Sequence, residues 1–144
     1  MNTSSKTGYD LYDLLRSVGF SDMYARFIVA QAAHESSNFE SPIFESNLNP
    51  FGMKFVGQKT AAGEKNGYAY YTHLGQAVDD YKRLFKSYGI VVLNTLESFV
   101  KLLKNRKYFE APVDEYLRGC TWFWNLYFPK GWVKEGPAGA SGSW

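Results

Sequence analysis

Ala30-Gln31-Ala32-Ala33-His34-Glu35, with Asn49-Pro50-Phe51-Gly52-Met53-Lys54 beginning fourteen residues after the Glu, is the pair of segments on which the reading of this chain turns. The first closes a helix of small side chains with a single carboxylate. Small residues let neighbouring backbones approach closely, so the alanine-rich half of this helix is suited to close packing against its neighbours. The second is a turn-rich loop able to fold an Asn, a Phe and a Gly back toward that carboxylate. In the last turn of a helix the negative end of the dipole disfavours an ionised carboxylate. Phe39 or Phe51 alongside would add desolvation, which pushes the pKa the same way. A carboxyl group kept protonated near neutral pH is what general-acid catalysis needs. The opposing reading is that a helical Glu is ordinarily a solvated surface residue.

Outward from this pair the pattern is mostly helical. Leu11, Leu14, Leu15 and Val18 recur at helical spacing before Gly19. Ser21 is an N-cap for a helix predicted over 22–37, and 38–52 reads as irregular loop. Residues 53–56 and 68–72 are short strand candidates that would form a small hairpin. Helical periodicity returns over 74–88, and Asn94 with Glu97 resembles a capping box for a helix to about 104. Val113, Tyr116, Leu117, Cys120 and Trp124 mark a last helix. The expectation is a single mainly α (α+β) domain over 1–134 and a loose Gly/Ala/Ser-rich tail over 135–144.

Composition bounds the function. With 144 residues, 45% hydrophobic and 21% charged, the chain can bury a real core and is globular rather than disordered. A net charge of +2 is too small to argue for nucleic acid; Lys101, Lys104, Arg106 and Lys107 read as the solvated end of a helix. Aromatic content of 18% supplies either core or a groove whose ring faces stack on sugars. Cys120 is the lone cysteine and the two His show no ligand spacing, so neither a disulfide nor a metal or other cofactor is expected. No segment reaches the length of a membrane span and no secretory signal is visible.

Three pieces together resemble the glucosaminidase family of peptidoglycan hydrolases (glycoside hydrolase family 73), within the lysozyme-like superfamily. The family's Ala-Gln-Ala-x-x-Glu resembles 30–35, and its Asn-Leu-Phe-Gly-Ile-Lys resembles 49–54. Its aromatic strand leading into Ala-x-x-Asp-Tyr resembles Tyr70-Tyr71-Thr72-His73 through Ala77-Val78-Asp79-Asp80-Tyr81. The resemblance covers roughly 10–118 and implies a lysozyme-like helical domain with a small β-hairpin lobe and a substrate groove between. It further implies endo-acting hydrolysis of β-1,4 glycan strands of the bacterial cell wall at N-acetylglucosamine, with Glu35 as the acid. The compact chain would suit a phage lysis or virion-associated enzyme acting in the wall, with its oligomeric state open. An inactive glycan-binding or virion structural module is the alternative.

The remaining site residues follow from the same comparison. The family's second carboxylate lies on the hairpin, where Glu64 is the acid present; Glu40 and Glu45 are rivals. Without any of them, the substrate's own 2-acetamido group would serve as nucleophile. The family's helper tyrosine sits in a Tyr-Ala-Thr-Asp segment with no evident counterpart, so Tyr127 is the substitute. Asn49 either turns the loop or binds sugar. Phe51 reads as core and groove wall. Alternation puts Tyr71 and His73 on one strand face toward the groove. Trp122 and Trp124 belong to core by default and to sugar stacking otherwise.

Overall fold

A computed structural model of the chain describes residues 3–89 and 92–134; the tail expected over 135–144 lies outside them. Among these residues the elements run α1 (Thr3–Ser17), α2 (Asp22–Glu35), α3 (Pro42–Asn47), β1 (Gly63–Lys65), β2 (Tyr68–Tyr70), α4 (Leu74–Ser87), α5 (Leu96–Asn105) and α6 (Val113–Tyr127). The fold is mainly α with one small antiparallel hairpin, the class that the sequence predicts. No helix among the described residues is long and apolar enough to cross a membrane.

α2 starts where Ser21 Oγ accepts the Tyr24 N–H at 3.2 Å, with Asp22 in the first turn facing the positive end of the dipole. From Phe27 to Ala33 every residue is buried. A helix without a solvent face can lie only at the centre of the domain. α1 and α6 pack on it, α5 closes on α6, and α4 lies against α1. Cys120 is buried on α6, where desolvation first and the Glu35 charge second push its thiol up to about 12, leaving it inert.

Immediately after Glu35 the chain reverses. Ser36 N–H and Oγ both bond the Ala32 carbonyl, at 2.9 and 2.7 Å, and the same Oγ accepts the Phe39 N–H at 2.8 Å. Ser37, Asn38 and Phe39 follow in left-handed conformation, with φ of 50°, 58° and 62°. Such residues are strained by about 1–3 kcal/mol each and persist only when held from outside. Phe39 is buried edge-on against Phe44 and Tyr127, and the Tyr127 hydroxyl reaches Asn38 Oδ1.

Three local expectations are corrected. The 38–52 loop contains α3, because Pro42 occupies the first helical turn, where its missing N–H costs nothing, and Ser41 Oγ caps Phe44 N–H. The partner of β2 is Gly63–Lys65, not 53–56, which contributes only a bridge from Lys54 to Tyr68. Asn66-Gly67, both with positive φ, is a two-residue turn that matches the strand twist. The capping box of α5 is Thr95 with Ser98, one position beyond Asn94 and Glu97, since both reciprocal bonds form there at 3.0 and 3.1 Å.

Asp80 ties these parts together. It is fully buried on α4 and accepts hydrogen bonds from Tyr71, Thr60, Gln58 and Arg83. Burial raises its pKa, but those donors outweigh it and hold the carboxyl below the ordinary aspartate range. A depressed folded pKa gives stability that is present above the ordinary range and lost as pH falls through the folded value. Asp80→Asn is therefore expected to cost about 1–3 kcal/mol at neutral pH, the penalty of buried donors left poorly paired. Urea unfolding at neutral pH and at pH near 3 checks this, because the gap between variant and parent must narrow in acid.

Candidate active site

α2 delivers Glu35 half-buried to the wall of a groove of about 770 Å³. The groove is walled by His34 and Tyr116 on one side, by Gly52–Lys54 from the loop, and by Arg83, Leu84 and Tyr88 from α4. Arg106 to Ala111, the segment between α5 and α6, completes it. A second hollow of about 200 Å³ shares Glu35, Gly52 and Lys54 with the groove and runs on to Ser41, Asn49 and Tyr68. Glu35 thus stands where the two spaces meet.

Tyr116 donates its hydroxyl to Glu35 Oε1 at 2.6 Å. Its ring is stacked on Phe109 at 3.7 Å with an angle of 5°, and His34 meets it edge-on at 4.7 Å. His34 in turn lies against Gly119 of α6, where no side chain could fit beside it. On the opposite side Gly52 holds a left-handed φ of +67°, and a Cβ there would stand 3.3 Å from Glu35 Oε2. Glycine suits the position twice over, for its left-handed backbone and because a side chain would crowd the carboxylate by a few tenths of an ångström.

The electrostatics follow from this packing. Desolvation raises the Glu35 pKa, and the Tyr116 hydrogen bond, which favours the ionised form, lowers it by less. His34 is pushed the other way, burial outweighing the Glu115 charge, so the ring is held neutral. Glu35 is therefore a carboxyl group that keeps its proton above the ordinary glutamate range and has a donor ready for the carboxylate it leaves.

Residues 17–127 match the family described as Glucosaminidase, mannosyl-glycoprotein endo-beta-N-acetylglucosaminidase. The chain belongs to the glucosaminidase family. No curated protein and no solved structure matches it. The match spans every element from the end of α1 to the end of α6, so both the groove and Glu35 lie within the part that is glucosaminidase by sequence.

In this glucosaminidase the predicted site residues separate. Glu35 lines both spaces, and Asn49 lines the smaller one. Asn49 is nevertheless fully committed to the backbone of its loop and of β2: Nδ2 donates to the Met53 and Ala69 carbonyls at 2.9 and 3.0 Å, and Oδ1 accepts the Phe51 and Met53 N–H groups. Phe51 is wholly core, 4.4 Å from the Tyr81 ring, and does not wall the groove. Tyr71 is likewise buried, bonded to Asp80, while His73 is exposed at the start of α4 beside Thr72; neither lines the groove. Alternation had placed them together, but the strand ends at Tyr70, so its two-residue period no longer applies.

Tyr127 is also corrected. Its hydroxyl reaches Ser4 O and Asn38 Oδ1, where it supports the left-handed turn rather than Glu35. Trp124 packs on Phe27 and Phe128 and borders a different hollow, and Trp122 is exposed on the outside of α6. Glu64 is exposed on β1, and Glu40 and Glu45 are exposed as well; none lines either space. The tyrosine that sequence reading missed is Tyr116, which looked like one more core position of the last helix. Tyr108 was missed too: its hydroxyl donates to the Phe51 carbonyl at 2.7 Å and fastens the groove wall to the loop.

Because Tyr116 favours the ionised form of Glu35, its removal must raise that pKa further. Tyr116→Phe is expected to move the alkaline limb of the pH–rate profile upward by about one unit, the worth of a hydrogen bond to a charged group. A profile unchanged in position would remove Tyr116 from the electrostatics of the site.

Proposed function

We propose that this glucosaminidase is an endo-β-N-acetylglucosaminidase of bacterial peptidoglycan, cutting the β-1,4 glycan strand with Glu35 as general acid. The carrying observation is the half-buried Glu35 with its raised pKa at the meeting point of the two spaces, bonded to Tyr116. A sugar strand laid through both spaces would present one glycosidic oxygen to that proton. Glu35 protonates this oxygen as the C1–O bond breaks. The positive charge that develops at the anomeric carbon then needs a partner.

Among the described residues, Glu110 is the other carboxylate lining the groove, and Glu64 stands outside it. With Glu64, the carboxylate that the family resemblance pointed to, outside the groove, the reading taken is assistance by the substrate's own 2-acetamido group. The acetamido oxygen attacks C1 as the leaving sugar takes the Glu35 proton. Water then opens the resulting ring, giving its proton to the Glu35 carboxylate, and the anomeric configuration is retained. Tyr116 stabilises that carboxylate between the two steps. The alternative of an inactive binding module drew its support from a missing helper tyrosine, and the Tyr116 hydroxyl on Glu35 weighs against it.

Incubation of purified peptidoglycan with parent and Glu35→Gln is expected to release muropeptides only from the parent, with N-acetylglucosamine at the new reducing end by mass spectrometry. Loss of general-acid catalysis costs about 10²–10⁴ in rate; equal release by both proteins would remove Glu35 from the mechanism. The substitution also has a stability signature. A carboxyl whose folded pKa is raised supports the fold below its unfolded pKa and loses that support as pH rises through the folded value. Glu35→Gln is thus expected to gain thermal stability over the parent at pH 7 compared with pH 4.

Glu64→Gln is expected to keep kcat within about threefold, since the acetamido group needs no second carboxylate. A fall beyond about a hundredfold would restore Glu64 as the partner, carried over the groove by the hairpin.

A further inference from the structure

The groove gathers four cationic side chains on a nearly neutral chain. Lys54, Arg83, Arg106 and Lys107 line it against the two carboxylates Glu35 and Glu110. With both carboxylates ionised and Arg83 balanced by the Asp80 behind it, the lining still keeps one unmatched positive charge. A strand of neutral sugars gives no reason for this, because hydroxyl and acetamide groups are satisfied by neutral donors and acceptors.

Two of the cations are arginines fixed from behind. Arg83 donates Nε to the buried Asp80 at 2.7 Å, a bond that does not use its two terminal nitrogens. Arg106 donates one terminal nitrogen to the Tyr88 carbonyl at 2.8 Å. Lys107 follows in a left-handed turn, φ 62°, with its side chain exposed. A guanidinium anchored along one edge loses little freedom when it takes a carboxylate on another, which is the planar pairing that favours arginine over lysine. Arg83, Arg106 and Lys107 share the groove with Tyr88 and stand apart from the small hollow that runs from Glu35 to Asn49.

We propose that the Arg83–Arg106–Lys107 end of the groove binds carboxylates of the peptide branches carried by the wall glycan, so that peptide-bearing strands are preferred over bare ones. This rests on the peptidoglycan reading above and adds a specificity subsite to it. Phosphate groups of wall polymers offer the same anionic chemistry, so the substrate must be freed of them in one arm of the test.

Peptidoglycan would be prepared with and without its phosphate polymers, and each preparation divided into peptide-bearing strands and bare strands, the latter stripped by amidase and their freed lactyl carboxylates then converted to amides. The parent is expected to show a kcat/KM about tenfold higher on peptide-bearing strands, equivalent to about 1.4 kcal/mol. Arg106→Gln and Lys107→Gln should each reduce that preference to about threefold or less, by slowing the peptide-bearing strand more than the bare one. Lys107 is exposed, so its variant serves if Arg106→Gln fails to fold. Equal parental rates on the two strands, or equal losses on both in the variants, would overturn the proposal. A preference present only while phosphate polymers remain would overturn it as well and assign the cations to phosphate. Cosedimentation with Glu35→Gln protein separates the two readings: preferential binding of peptide-bearing strands supports the subsite even if the parent cleaves neither strand.

Discussion

The burial of α2 on every face is the constraint from which the rest of the structure follows. Phe27 to Ala33 have no solvent side, so α1, α5 and α6 must enclose them directly or through one another. A helix in that position can admit a carboxylate only where the enclosing shell opens. It opens at the last residue, Glu35, because the chain reverses there through Ser37, Asn38 and Phe39 in a conformation that ordinary residues avoid. The strain is held by contacts from the far end of α6, through Tyr127, and from Ser36 against α2 itself. The same helix therefore serves packing by its middle and carries the groove's half-buried carboxylate at its end.

Two opposed effects then set the chemistry of the carboxyl group. Burial alone favours the protonated form, and full solvation would favour the ionised one. Tyr116 moderates the first effect by supporting the ionised form. The tyrosine can do so because Phe109 and His34 fix its ring from two sides, and a neutral His34 adds no charge of its own. Gly52 leaves room for the carboxylate to approach the loop backbone without a side chain between them. The small hollow and the larger groove meet at this gap.

The aromatic surplus has a different use from the one its abundance suggests. Phe27, Phe51, Tyr81, Phe85 and Phe99 form a run of ring contacts through the core, and Tyr9, Tyr12, Phe128 and Trp132 form another between α1 and the segment after α6. Buried hydroxyls reach across elements: Tyr81 to Gln31 on α2, Tyr71 to Asp80, Tyr108 to Phe51. Each ring thus joins two elements by area and by one polar bond, which suits a small domain with few charged ties in its interior.

What the sequence by itself determined was whatever depends on neighbours along the chain. Ser21 as a cap, the alanine-rich helix, the position of Glu35 at its end and the span of α4 are all read from periodicity and local hydrogen bonding. The Asn66-Gly67 turn lay in the sequence too, yet the strand reading passed over it and paired 53–56 with 68–72 instead of 63–65 with 68–70. Contacts between residues far apart in sequence were decided only in three dimensions. Tyr116 reaches Glu35 across 81 positions and Tyr127 reaches Asn38 across 89; both carry the same side chain on the same helix, and nothing local distinguishes them. The angle at which α6 crosses α2 puts one tyrosine in the groove and the other under the turn. That angle is fixed by how the two helix surfaces fit, at His34 against Gly119, and a fit between surfaces belongs to no single stretch of sequence.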